Sequence, residues 1–169
     1  MGVLCDLKLR ALVGLPPEPY LTLLLNSARA QLGANDRDFL HLLHLLGCLC
    51  LLHWPERGLE LLLEELERSQ PGPADDDRIL VWGHALLASG RISQAVALLR
   101  AHADQSPAIA RLACRALLRQ GDRRAAEDLA ADHQLPSLDE IESHPLVEEQ
   151  QRLLHATLDA FMAGPAPSP

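Results

Sequence analysis

Aromatic side chains are scarce in this chain of 169 residues: two tryptophans, one tyrosine and two phenylalanines make up 3% of it. Neither Trp54 nor Trp82 sits in an aromatic cluster on which nucleic-acid bases could stack. Positive charge is short as well. Fifteen Lys and Arg stand against 23 Asp and Glu, a net charge of −8 and a pI near 5.4. That is the wrong sign for a general binder of nucleic acid or of anionic membranes. Long apolar runs are missing too. The richest, from Phe39 to Leu52, is too short to span a bilayer and carries His41 and His44. Near the N-terminus Asp6, Lys8 and Arg10 stand where a signal peptide would need its apolar stretch. The expectation is a chain that stays in the cytosol and is not inserted in a membrane. Cys5, Cys48, Cys50 and Cys114 are irregularly spaced, which fits reduced, buried thiols better than a disulfide frame. GxGxxG, GxxxxGKS/T and GxSxG are all missing, and no segment alternates as a strand would. No enzyme activity and no cofactor are expected.

What the chain has instead is leucine and alanine, both strong helix formers, within a 48% apolar composition. Its length suits one domain able to bury a core. Breakers divide it at short intervals. LPPEP at 15–19 ends a short N-terminal segment, and a helix over about 20–33 closes at Gly33. Asp36 or Asp38 can cap a helix from Phe39 to His53, and Pro55 suits the first turn of a helix over 56–69. SQPGPADDD at 69–77 reads as the clearest loop, followed by a helix from about Asp77 to Ser89 that Gly90 stops. Ser93 can cap the next helix, to about Asp104, and Ser106-Pro107 is an N-cap with proline at the first helical position. After Gly121-Asp122 a helix runs from about Arg123 to His133. SLDE at 137–140 has capping-box spacing, and a last helix reaches about Ala163 before a frayed tail, GPAPSP. The expected fold class is all-α.

The segment LVWGHALLASGRISQAVALLRAHADQSP, Leu80 to Pro107, is a helical hairpin that superposes in sequence on its neighbours. Gly90 matches Gly121, Ala95 matches Ala126, and Gly58 stands where those alanines stand, at intervals of 37 residues (58 to 95) and 31 (95 to 126). Small residues at those points let paired helices approach closely. With Gly83 in mid-helix, Gly90 at the turn, Ala95 early in the second helix and Pro107 at the end, the unit resembles the tetratricopeptide-repeat (TPR) family. The third unit keeps Gly121 and Ala126 but has Cys114 in mid-helix, and the first keeps little beyond the helical pattern. The resemblance covers roughly residues 39–133. It implies about three TPR-like hairpins between an N-terminal helical segment (1–38), capping helices (137–163) and a tail (164–169), all in one domain. The last helix carries Leu146, Val147, Leu153, Leu154, Leu158 and Phe161 and is expected to cover the final repeat.

By the family's geometry, the first helix of each unit lines a concave groove. That assigns Leu40, Leu43, Gly47 and Cys50 in the first unit; Leu80, His84 and Leu87 in the second; and Arg111, Arg115, Leu118 and Arg119 in the third. Arg111, Arg115 and Arg119 are four residues apart and share a helical face. A basic stripe beside an apolar trough suits a client peptide with leucine-like anchors and an acidic group or a C-terminal carboxylate. A small, acidic, stand-alone chain of this kind resembles the TPR chaperones of bacterial type III secretion. The resemblance implies a cytosolic chaperone or adaptor bound to another protein, forming a homodimer when its client is absent. A permanent scaffold subunit is the alternative. A third reading uses the Leu-rich helix FLHLLHLLGCLCLLHW. There His41, His44 and Cys48 fall within about 60° on a helical wheel, by the 100° turn per residue. That arrangement is conceivable for a metal or thiol site, but no CxxC or HExxH spacing accompanies it. The same helix, apolar almost all round, belongs either in the core or against a partner.

Overall fold

The computed structural model describes residues 2–18, 20–69 and 75–163. The side chains of Cys5 and Leu12 lie outside that description, as do the middle of the 69–77 loop and the tail at 164–169. Among the described residues there are ten α-helices, one 3-10 turn and no strand, so the fold is all-α and repeat-like. The helices are α1 Gly2–Leu12, α2 Tyr20–Leu32, α3 Arg37–His53, α4 Pro55–Arg68, α5 Asp76–Ala88, α6 Ile92–Ala101, α7 Pro107–Gln120, α8 Arg123–Asp132, α9 Leu138–Ser143 and α10 Leu146–Ala163. They form two compact units, residues 1–70 with 154–169, and residues 71–153.

Most helix ends follow from local chemistry. Asp36 caps α3 by accepting from the Asp38 amide at 2.8 Å, and Pro55 opens α4 at its first turn. Asp75 caps α5, Ser106 caps α7 ahead of Pro107, Asp122 caps α8 and Ser137 caps α9 through the Glu140 amide. Ser93 does not act as a cap. It lies inside α6, whose start at Arg91 has no side-chain cap, and its hydroxyl instead accepts from Gln120 at 3.4 Å. The helix also stops at Ala101 rather than Asp104, because the chain tightens there into a 3-10 turn over Ala103–Gln105.

The turns of the second and third hairpins are built alike. Gly90 and Gly121 both have positive φ (74° and 89°), where a side chain would be strained. In each case the following amide reaches back to a carbonyl in the last turn: Arg91 N to Leu86 O and Asp122 N to Leu117 O, at 2.9 and 3.0 Å. After α8 the same geometry recurs with Gln134 at φ 51°, and Leu135 N reaches Ala130 O at 2.9 Å. One backbone device therefore closes α5, α7 and α8 in residues 71–153.

In the unit formed by 1–70 and 154–169, α1, α2 and α4 pack on α3. Every residue from Leu43 to Cys50 is buried, so the Leu-rich helix is a core helix, one of its two expected settings. A close polar pair interrupts that run: His44 Nδ1 meets Glu65 Oε2 at 2.8 Å, both side chains buried. Gly58 makes the α3–α4 contact. A Cβ there would run into the backbone of Cys50 and Leu51, so the two helices touch main chain to main chain. In the unit 71–153, α5 packs on α6 and α7, α6 on α7, and α7 on α8. Gly83 receives Leu99 of α6 and Leu112 of α7, while Ala95 and Ala126 are fully buried. The last helix departs from expectation. Its buried side chains, Leu154 and Leu158, belong to the first unit, and Val147 is exposed; the short α9, with Leu138 and Ile141 buried, packs on α7 and α8.

These contacts set different costs for adding one methyl group. Gly58→Ala must push two backbones apart and should cost at least about 3 kcal/mol. Gly83→Ala meets only the flexible ends of Leu99 and Leu112, and the better helix propensity of alanine offsets about 1 kcal/mol of that. Urea denaturation of the two variants should show a large loss for the first and a small one for the second.

Candidate functional site

The expected groove residues separate into two environments. On α3, Leu43 and Cys50 are fully buried, Leu40 is half-buried, and a Cβ on Gly47 would sit 2.7 Å from Leu62 Cγ. Three helices packed on α3 leave these positions in the core. Burial pushes the Cys50 thiol up to about 12, the opposing effect of Arg57 being smaller. Cys114 is pushed up to about 11 by the same cause, and its Sγ donates to Ala126 O at 3.6 Å. Both are inert structural thiols at neutral pH.

The arrangement on α5 and α7 is more open. Leu80, Arg111 and Leu118 are half-buried, Arg119 is exposed, and His84, Leu87 and Arg115 are buried. A cavity of about 220 Å³ opens among Arg115, Leu118, Arg119, Glu142, His144 and Leu146. Among the described residues no carboxylate pairs with Arg111 or Arg119, and the Arg111 Nε is buried without a hydrogen-bond partner. Two uncompensated cations thus stand one helical turn above and below Arg115 in an acidic protein. Burial lowers His84 on the neighbouring helix to about 4, with smaller contributions from Arg115 and Arg119. At neutral pH His84 is an uncharged imidazole.

Arg115 plays a different part from the other two. Its Nε and Nη2 both donate to Ile141 O, at 2.9 and 2.7 Å, and Nη2 also reaches His144 O at 2.8 Å. Its Nη1 meets Glu149 Oε2 at 3.2 Å. One guanidinium therefore satisfies carbonyls at the end of α9 and a carboxylate in the first turn of α10. Burial, then Arg111 and Arg119, lower its affinity for the proton, against the opposing pull of Glu149. Arg115 is a fastening within the fold, and all three of its nitrogens are engaged. Spacing on α7 put it in one stripe with Arg111 and Arg119, because helical periodicity assigns a face without saying what will cover it. Ile141, His144 and Glu149 were not singled out from sequence, since two of them act through backbone oxygens that every residue carries.

His41, His44 and Cys48 do not converge. His41 is exposed, with its ring 6.0 Å from that of Phe161; His44 is turned into the core toward Glu65; Cys48 is fully buried. Among the described residues no three His, Cys, Asp or Glu side chains are placed to hold a metal ion, and no helix is long and apolar enough to cross a membrane.

No protein-family model, curated protein or solved structure matches the chain significantly. The fold itself defines the class: an all-α protein of repeat-like helical hairpins, with an uncompensated basic ridge on one of them.

Two outcomes follow. Arg115→Ala leaves two carbonyls and Glu149 without their donor and should cost about 3 kcal/mol, with faster amide exchange over residues 138–149. Arg115→Lys should recover little, because an ammonium cannot bridge three groups in one plane. His84 sets a pH dependence. Its pKa is about 4 when folded against 6.5 for the free side chain, so the unfolded chain binds the extra proton. The stability it contributes is complete above pH 6.5 and is lost as pH falls toward 4, up to about 3 kcal/mol. Comparing urea midpoints of the wild type and His84→Leu across that range should show the acid-sensitive part missing from the variant.

Proposed function

We propose that this chain is a protein-binding module whose α5–α7 face takes an acidic, leucine-bearing segment of a client protein. The observation that carries the reading is the basic ridge. Arg111 and Arg119 are left without carboxylates in a protein of net charge −8, where surplus acids are at hand to pair with them. Leu80 and Leu118 supply half-buried apolar surface beside them, and the cavity next to Arg119 gives a side chain somewhere to enter. His84, held neutral, adds a polar group without a desolvated charge.

The role that suits such a face is that of a cytosolic chaperone or adaptor. It covers an apolar, acidic stretch of its client and so prevents self-assembly. The small TPR chaperones of type III secretion, which the chain resembles in size, charge and repeat count, are the narrower version of this proposal. Nothing in the arrangement asks for a cofactor, and the part assigned to these residues is binding rather than catalysis.

The test is affinity purification of the tagged protein from its native cells, with Arg111→Glu/Arg119→Glu run beside it. Both side chains lie outside the Arg115 network, so the variant should fold, which circular dichroism checks. A stoichiometric partner whose affinity falls roughly tenfold or more in the variant supports the reading. A partner bound equally well by both proteins removes the basic ridge from the interface and overturns it.

A further inference from the structure

A cavity of about 570 Å³ opens at the corner where α3 gives way to α4, between residues 17–18 and 53–57. That is the size of a small-molecule site. Trp54 alone joins the two helices. Its amide closes α3 on Cys50 O at 2.6 Å and Pro55 opens α4 on its other side, so the indole is left half-buried at the bend. The bend is stiff, because Gly58 sets the two backbones in contact just beyond it. The opposite wall is fixed as well. Glu18 accepts from the Thr22 amide at 3.2 Å and from its hydroxyl, and its other oxygen meets Arg57 Nε at 3.0 Å.

The lining is mostly carbon, with one charge left over. The His53 and Trp54 rings stand 5.9 Å apart at 63°, and Pro17 and Pro55 add ring carbons. Arg57 is taken by Glu18 and, at 2.7 Å, by Glu60. Glu56 is exposed and, among the described residues, has no ion-pair partner. The C-terminal end of α3 and the N-terminal end of α4 meet here, so their dipoles offset and the side chains decide the sign. The uncommitted charge is therefore negative. Burial, then His155 and Lys8, neither of which lines the cavity, lower His53. At neutral pH its ring is an uncharged wall that does not repel a cation.

We propose that this corner is a binding site for a small organic cation of the trimethylammonium class. The face of an indole attracts such a group through its ring quadrupole, and Glu56 supplies the counter-charge. The lining also selects among cations. A guanidinium or a primary ammonium brings several N–H donors, which one free carboxylate cannot satisfy once they leave water. A charge spread over methyl groups has no donor to strand, and it buries carbon against carbon. An anion would meet only an arginine that two carboxylates already hold. None of these residues belongs to the α5–α7 face, so the inference does not rest on the client-binding reading.

Titration of the full chain with choline tests it, read through the indole N–H resonances. Choline should shift the Trp54 signal saturably and leave in place that of Trp82, which is buried on α5. The neutral isostere of choline, with tert-butyl in place of trimethylammonium, should bind at least about tenfold more weakly. Trp54→Leu, followed through the amides of residues 53–57, should raise the dissociation constant by at least about tenfold. Glu56→Gln, at an exposed position, should raise it about threefold with an unchanged helical spectrum. A parallel titration with acetyl-trimethyllysine amide distinguishes a free cation from a methylated side chain, and saturable binding of either upholds the site. No saturation with either cation overturns the proposal. So does equal binding of the neutral isostere, or an affinity that either variant leaves unchanged.

Discussion

Close approach of helices through small residues is the constraint on which most of this structure depends. A chain with five aromatic residues cannot fill wide gaps between helices with rings, so its layers must come together until leucine alone fills them. Gly58 lets α3 and α4 meet backbone to backbone. Gly83 admits Leu99 and Leu112 into the space its own side chain would occupy, and Ala95 and Ala126 do the same work at the starts of α6 and α8. Such contacts are short-ranged and steep. One methyl group in the wrong place separates a pair of helices, whereas an exposed leucine changes little. The spacing of the small residues along the chain is therefore the spacing of the hairpins.

A leucine core packed this tightly still contains polar groups, and two of them, His44 and Arg115, tie one helix to another. His44 of the Leu-rich α3 meets Glu65 of α4. Arg115 binds α9 and the start of α10 to α7 through backbone oxygens and Glu149. Burial of a guanidinium is costly unless its donors are filled. That cost makes the corner specific: another register of α9 would leave the charge unmet. Leucine against leucine has no such direction, so the buried polar contacts decide registers that apolar packing would tolerate.

Surface charge follows a related logic. Most exposed acids and bases in an acidic chain can find water or each other at little gain. Arg111 and Arg119 are different because they flank a cation already sealed into the fold, so three positive charges share one face of α7. Their mutual repulsion costs stability, and His84 on the adjacent helix, lowered mainly by burial, is pushed further the same way by Arg115 and Arg119.

Much of the fold could be read along the chain, and for an identifiable reason. Caps at Asp36, Ser106, Asp122 and Ser137, prolines at 55 and 107, and glycines at 90 and 121 act on their own few neighbours, so sequence alone determined the helices, the turns and the hairpin unit. Ser93 failed as a cap because the helix began two residues earlier, a shift that local signals do not resolve. What tertiary structure alone decided was which members of a face are covered. Leu43 and Cys50 went into the core because three helices pack on α3, and Leu154 and Leu158 are buried in the unit formed by 1–70 and 154–169 rather than over the last hairpin. Arg115, one of three arginines alike in spacing, is fastened to groups 26 to 34 residues away, while its neighbours are left open. Periodicity is a property of one helix and is written in its residues. Burial is a property of whatever comes to lie upon it, and depends on the rest of the chain.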